Sequence, residues 1–181
     1  TNVSTDSVNG ANLKANVVNF SFNPDQIGSS TGNTNEGYLE LYVNNIYKAR
    51  LYGDDFYLSK TNLNDGDNKI HFVLKSLNHN ALKTSLETTY HYHESSTEHA
   101  HSKVSRNRYS SMHNQVHIPV GTAVPQISIS TSKDNIDGYN LKLTLTNYTL
   151  TPENVNKDNV MGEGHAHLYI DEQKITRLYE T

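Results

Sequence analysis

Residues 36–52 read EGYLELYVNNIYKARLY and residues 163–179 read EGHAHLYIDEQKITRLY, and these two phrases decide the fold. Glu36/Glu163, Gly37/Gly164, Leu41/Leu168, Tyr42/Tyr169, Arg50/Arg177, Leu51/Leu178 and Tyr52/Tyr179 fall in register without a gap. Each phrase alternates apolar and polar residues, as a half-buried strand does. Each is divided by a polar pair, Asn44-Asn45 or Asp171-Glu172, of the length that closes a tight hairpin. Upstream, Asn12-Leu13-Lys14 matches Asn140-Leu141-Lys142, Asn19-Phe20 matches Asn147-Tyr148, and Pro24-Asp25 matches Pro152-Glu153. One antiparallel unit is therefore expected twice. Downstream the copies part: the first continues through LYGDDFYLSKTNLNDGDNKIHFVLKSLNHN, whereas only Glu180 and Thr181 follow Tyr179. Copy two is expected to lack its closing hairpin, leaving a sheet edge for residues 84–125 to fold back on and finish, or for a neighbouring chain's strand to finish.

Strand-like alternation bounded by Asn, Gly and Asp predicts strands near 12–22, 37–43, 46–52 and 69–77, with Asn64-Asp65-Gly66-Asp67 as a further turn. In the second copy it predicts strands near 126–131, 139–150, 164–170 and 173–179. The expected class is all-β, with two related antiparallel sandwich-like units at 1–83 and 126–181. A His-rich insertion or arm at 84–125 separates them. Gly37, Leu39, Leu41 and Val43 should face a core, and Tyr38, Glu40 and Tyr42 the other side. By the same alternation, Ala166, Leu168 and Ile170 should face inward. His165, His167 and Tyr169 should lie on an accessible outer face.

The copies differ most where Tyr38 and Glu40 become His165 and His167. His91/His93 and His99/His101 repeat the His-x-His spacing, and six of the ten histidines fall within 84–125. In extended backbone, residues i and i+2 project from one face about 6.6–6.8 Å apart, so two imidazoles can meet on one ion. His113 and His117 would share a face only on a helix. His79, in an Asn-His-Asn turn, is a further candidate, whereas His71 reads as an ordinary surface residue. The expected metal ligands are thus His165, His167, His91, His93, His99, His101, His113, His117 and His79. Glu94, Glu98 and Glu163 stand close enough in sequence to complete a shell or orient the rings. Nitrogen and oxygen donors without thiolate favour copper first and zinc second.

The chain has no cysteine, which removes disulfides and thiolate sites. Its hydrophobic content is only 34%, with Asn, Thr, Ser and Tyr in place of much Leu and Ala, a mix suited to β-structure with polar outer faces. With a net charge of −4 and no basic stripe, a nucleic-acid partner is not expected. No apolar run is long enough to span a membrane as a helix. The start at Thr1 and this composition point to a processed, exported chain, extracellular or at the cell surface. Nucleophile-elbow, phosphate-loop, zinc-protease and dinucleotide motifs are all missing, so no enzyme is expected. His165-x-His167 followed by Glu172 approaches a cupin motif, but its bracketing glycines and second motif are not there.

LTNYTLTPENVN followed by GEGHAHLYIDEQKITRLY resembles an uncharacterised β-domain family of exported bacterial and archaeal proteins and lipoproteins. The matching positions are Asn147, Pro152, Glu153, Asn154, Gly162, Gly164, His165, His167, Tyr169, Arg177 and Tyr179. The family pattern continues into a hairpin ending in a Leu-Asn-x-x-x-His-like turn. Copy one supplies such a turn at Leu77-Asn78-His79; copy two does not. The resemblance implies an exported β-domain. The expected role is a non-enzymatic, self-assembling metal binder. The alternative is a structural subunit of a filament or surface layer, joined head to tail by strand complementation.

Overall fold

The computed structural model describes residues 2–6, 10–29, 34–93, 117–134 and 138–181. It is all-β, as expected, with three one-turn 3-10 segments. Its first unit holds β1 (Asn2–Thr5), β2 (Ala11–Lys14), β3 (Ser21–Phe22), β4 (Glu36–Val43), β5 (Ile46–Leu51), β6 (Asp55–Leu58), β7 (Gly66–Ser76) and β8 (Ala81–Tyr92). The second holds β9 (Gln126–Lys133), β10 (Tyr139–Thr146), β11 (Thr149–Leu150), β12 (Glu163–Gly164), β13 (Ala166–Ile170) and β14 (Gln173–Leu178). β1, β6 and β8 add to the strands read from sequence, and β8 runs into the region expected as the start of the His-rich insertion.

In unit 1 a sheet ordered β1-β2-β6 faces a second sheet ordered β3-β4-β7-β8, with β5 also on β4. Leu13, Leu39, Leu41, Val43, Phe56, Leu58, Ile70, Phe72 and Leu74 meet between them in one core. Leu39, Leu41 and Val43 are 3%, 3% and 1% exposed, which bears out the alternation read for β4. Tyr38 departs from it. The ring lies on the outer face yet is 1% exposed, because Tyr52, His79 and the Arg50 guanidinium close over it.

Unit 2 repeats the local geometry. Asn44 and Asn45 take φ 51° and 66°, and Asp171 and Glu172 take 48° and 65°, the left-handed pair of a type I′ hairpin. β3 runs parallel to the start of β4 through Ser21–Glu36 and Phe22–Gly37, and β11 meets β12 through Thr149–Glu163 and Leu150–Gly164. A bulge follows Leu41 in one copy and Leu168 in the other. The difference lies at the edges. β4 is paired on one side by β3 and β5 and on the other by β7. Among the described residues, β13 pairs only with β14, and β10 only with β9. Leu13 is 2% exposed but its counterpart Leu141 42%; Val43 is 1% exposed but Ile170 52%.

The units grip one another by the same four residues used twice. Arg177 donates to Asp6 at 2.5 Å, and Tyr179 donates to Asn12 at 2.5 Å. Asn12 donates in turn to Asp6 at 3.1 Å. In reverse, Arg50 pairs with Asp134, Tyr52 donates to Asn140 at 2.8 Å, and Asn140 donates to Asp134 at 3.1 Å. Asp6 and Asp134 each sit in a turn closed by a backbone bond to Gly10 or Gly138 at 3.1 Å. Each unit's hairpin thus holds the other unit's turn, a reciprocal contact of the kind that joins symmetric dimers. Among the described residues no helix is long and apolar enough to cross a membrane.

Candidate functional site

His165 lies between β12 and β13, and His167 is the second residue of β13. Extended backbone sends both side chains to one face, and the two Nε2 atoms stand 3.0 Å apart. The ring centroids are 4.8 Å apart at 37°. Around the pair, the Tyr169 hydroxyl is 3.5 Å from His167 Nδ1, and the Tyr179 ring meets His165 edge-on. Lys174 Nζ is 3.4 Å from His167 Nε2. Burial, then the nearby Arg177 guanidinium, pulls the Lys174 ammonium below its ordinary pKa, so it yields its proton more readily than a surface lysine. Both histidines are half-buried, less open than a bare strand face would leave them.

The same positions in unit 1 show what the substitution changed. Tyr38, in place of His165, has its hydroxyl 2.7 Å from His79 Nδ1. Glu40, in place of His167, accepts from Tyr42 at 2.8 Å and pairs with Lys75 at 3.4 Å. Tyr42 and Tyr169 therefore serve their neighbours alike. The Arg50 guanidinium covers Tyr38 at 4.7 Å from the ring centre. Burial, then Arg50, lowers the His79 pKa below the usual imidazole value.

The other sequence candidates fall apart from this pair. His91 Nδ1 is 2.7 Å from Asp67 and His93 Nδ1 is 3.4 Å from Asp65, two exposed His–Asp pairs at one end of the β7–β8 hairpin. His117 is exposed in an irregular segment. His99, His101 and His113, with Glu94 and Glu98, lie outside the described residues. Glu163 accepts from Asn154 at 2.8 Å. His79 belongs to unit 1, against Tyr38. Among the described residues no three His, Asp or Glu side chains converge as a ready-made metal centre. His165 and His167 are the two sequence candidates that the fold brings together. A cleft of about 500 Å³ between the units, lined by Leu51, Phe56, Leu141 and Ile175 among others, contains none of the histidines.

Sequence reasoning missed Lys174, whose approach to His167 depends on the bulge that offsets Tyr169 against Lys174. It also missed Asp6 and Asp134, and gave Asn12 and Asn140 no role beyond their match in the repeat, although Asp-x-x-x-Gly-x-Asn occurs in both copies. Compared with family models, curated proteins and solved structures, the chain matches none.

Proposed function

We propose that this chain is an exported, non-enzymatic metal-binding β-protein that takes Cu(II) or Zn(II) on His165 and His167 and self-assembles through unit 2. One observation carries the reading, the 3.0 Å between the two Nε2 atoms. Two nitrogens bound to one ion at about 2.0–2.1 Å stand roughly 3.0–3.4 Å apart, so the rings need little movement to share a metal. An all-imidazole pair suits copper and zinc better than hard cations, and copper binds the more tightly of the two. Lys174 tempers the site: its charge repels a cation, while its lowered pKa eases loss of that charge.

The second reading is a structural subunit polymerised by strand complementation, with metal bridging or incidental. It is favoured by the half-paired β10 and β13 and by the exposed Leu141 and Ile170. Edges of this kind pair readily with another chain. Elemental analysis of protein purified without chelators, then dialysed against Cu(II) or Zn(II), tests the metal reading. Stoichiometric metal, lost in H165A/H167A, is expected; a metal-free wild type after dialysis contradicts it.

A further inference from the structure

We propose that Tyr148 is the residue that positions His165 beside His167: its hydroxyl holds the backbone at the entry to β13, and so sets the direction from which the first imidazole meets the second. This rests on the metal-binding reading above and adds to it a residue that is not a ligand. Tyr148 is half-buried, and its hydroxyl oxygen accepts a hydrogen bond from the His165 backbone N–H. His165 falls between two strand ladders, one ending at Gly164 and the next starting at Ala166. The bond to Tyr148 therefore ties the chain at the residue where one ladder gives way to the other.

The two copies show what this hydroxyl adds. In unit 1 the Ser21 N–H donates to the Asn35 carbonyl at 2.8 Å, and the Asn23 N–H to the Gly37 carbonyl at 3.2 Å. In unit 2 the Thr149 N–H donates to the Gly162 carbonyl at 2.8 Å, and the Thr151 N–H to the Gly164 carbonyl at 2.9 Å. Asn19 and Asn147, just ahead of these bonds, share φ 57°. Phe20 and Tyr148 thus leave matching backbone. Phe20 has no oxygen to offer; it packs against the core and meets Phe22 edge-on at 5.8 Å. The copy that carries the added hydroxyl is the copy that carries histidine at the ligand position. In unit 1 Tyr38 stands there and is held by its own hydroxyl, 2.7 Å from His79 Nδ1.

A matched pair of glycines locates the oxygen. Gly37 and Gly164 have φ 157° and 151°, values that suit glycine and that L side chains rarely adopt. A Cβ at Gly37 would strike the Lys75 carbonyl oxygen of β7, and a Cβ at Gly164 would strike the Tyr148 hydroxyl. One oxygen closes on the strand in each copy, a main-chain carbonyl in unit 1 and a phenol in unit 2. Fixing the backbone matters because the imidazole is a lever: a small tilt at Cα is magnified at Nε2. The 3.0 Å between the two Nε2 atoms is close to what a shared ion needs, so a tilt of His165 would spoil it. Hydrogen bonds behind a ligand do this work in metal sites generally.

The test is Y148F in the full-length chain, a mild change because phenylalanine occupies the matching place in unit 1. In the metal-free variant, nuclear Overhauser contacts between the His165 and His167 rings should be lost, with β-sheet circular dichroism unchanged. Zinc affinity, by chelator competition, should fall roughly ten-fold or more, as it does when a ligand loses the group that orients it. Ring contacts unchanged in Y148F overturn the inference, whatever the zinc affinity. Hydrogen exchange on the wild-type chain decides the matter even if Y148F does not fold. The His165 amide should be protected like its strand neighbours; exchange as fast as in an irregular loop means that Tyr148 does not hold it, and overturns the inference. Zinc bound by the wild-type chain and lost in H165A/H167A reports on the earlier reading. Ring contacts and amide exchange, both read without metal, report on this one.

Discussion

Arg177 donates to Asp6 at 2.5 Å across 171 positions of sequence, and Arg50 makes the same pair with Asp134 in the opposite direction. The Arg177 and Asp6 side chains are 5% and 0% exposed, so neither charge is relieved by water. Removing one partner of a buried pair strands the other, at a cost of about 3–5 kcal/mol. R177A and R50A should each lose stability on that scale in urea unfolding. The R177A/D6A double variant should lose less than the sum of its single variants. Additive losses would mean the two groups do not act as a pair.

The Asp171-Glu172 turn places two non-glycine residues in the left-handed region, at φ 48° and 65°. Glutamate is poorly suited to that conformation, which costs an L-residue about 1–2 kcal/mol. E172G should raise stability by roughly 1 kcal/mol, with metal affinity unchanged because the ligand strand keeps its register. A loss of stability would show that Glu172 contributes through its side chain.

Burial pushes the Tyr38 and Tyr57 hydroxyls up to about 12, with Arg50 and Arg177 partly opposing it. The folded chain therefore holds these protons where the unfolded chain, with phenols near pH 10, releases them. Stability should be steady below pH 10 and fall as pH rises from there toward 12. His79 acts at the other limb. Its lowered folded value means the unfolded chain binds the proton first, so stability should decline as pH falls below about 6.5. Unfolding midpoints across the pH range test both limbs. Y38F/Y57F should flatten the alkaline one, and H79N the acid one.

Lys174 Nζ lies 3.4 Å from His167 Nε2. Replacing it with an uncharged residue of similar length removes a repelling charge from the site. K174M should bind Zn(II) several-fold more tightly near neutral pH, by roughly the amount expected for one partly screened charge at close range. The gain should shrink as pH rises and the native ammonium is lost. An equal gain at every pH would mean that packing, not charge, is responsible.

The parts of the fold visible in sequence were those written twice or written in alternation. The paired phrases located β4–β5 and β13–β14 and their tight turns. Three strands were less legible for physical reasons. β6 starts within the turn-like Gly53-Asp54-Asp55, at Asp55, and β1 is four residues long. β8 is largely exposed and rich in Thr, Ser and Glu, so its apolar alternation is faint. What covers the outer face of β4 was not legible, because alternation reports only the two sides of one strand. It cannot show that a distant turn and Arg50 cover Tyr38. The His165/His167 pair was legible from its spacing, since extended backbone sets i and i+2 side by side. The neighbouring Lys174 was not, because a bulge sets its register.

Electron paramagnetic resonance of the Cu(II)-loaded chain tests most directly whether His165 and His167 share a metal. Wild-type protein should show nitrogen hyperfine coupling from imidazole ligands, and H165A/H167A should lose that signal while keeping its β-sheet circular dichroism. An identical copper spectrum in the double variant would place the metal elsewhere and contradict a site on this strand.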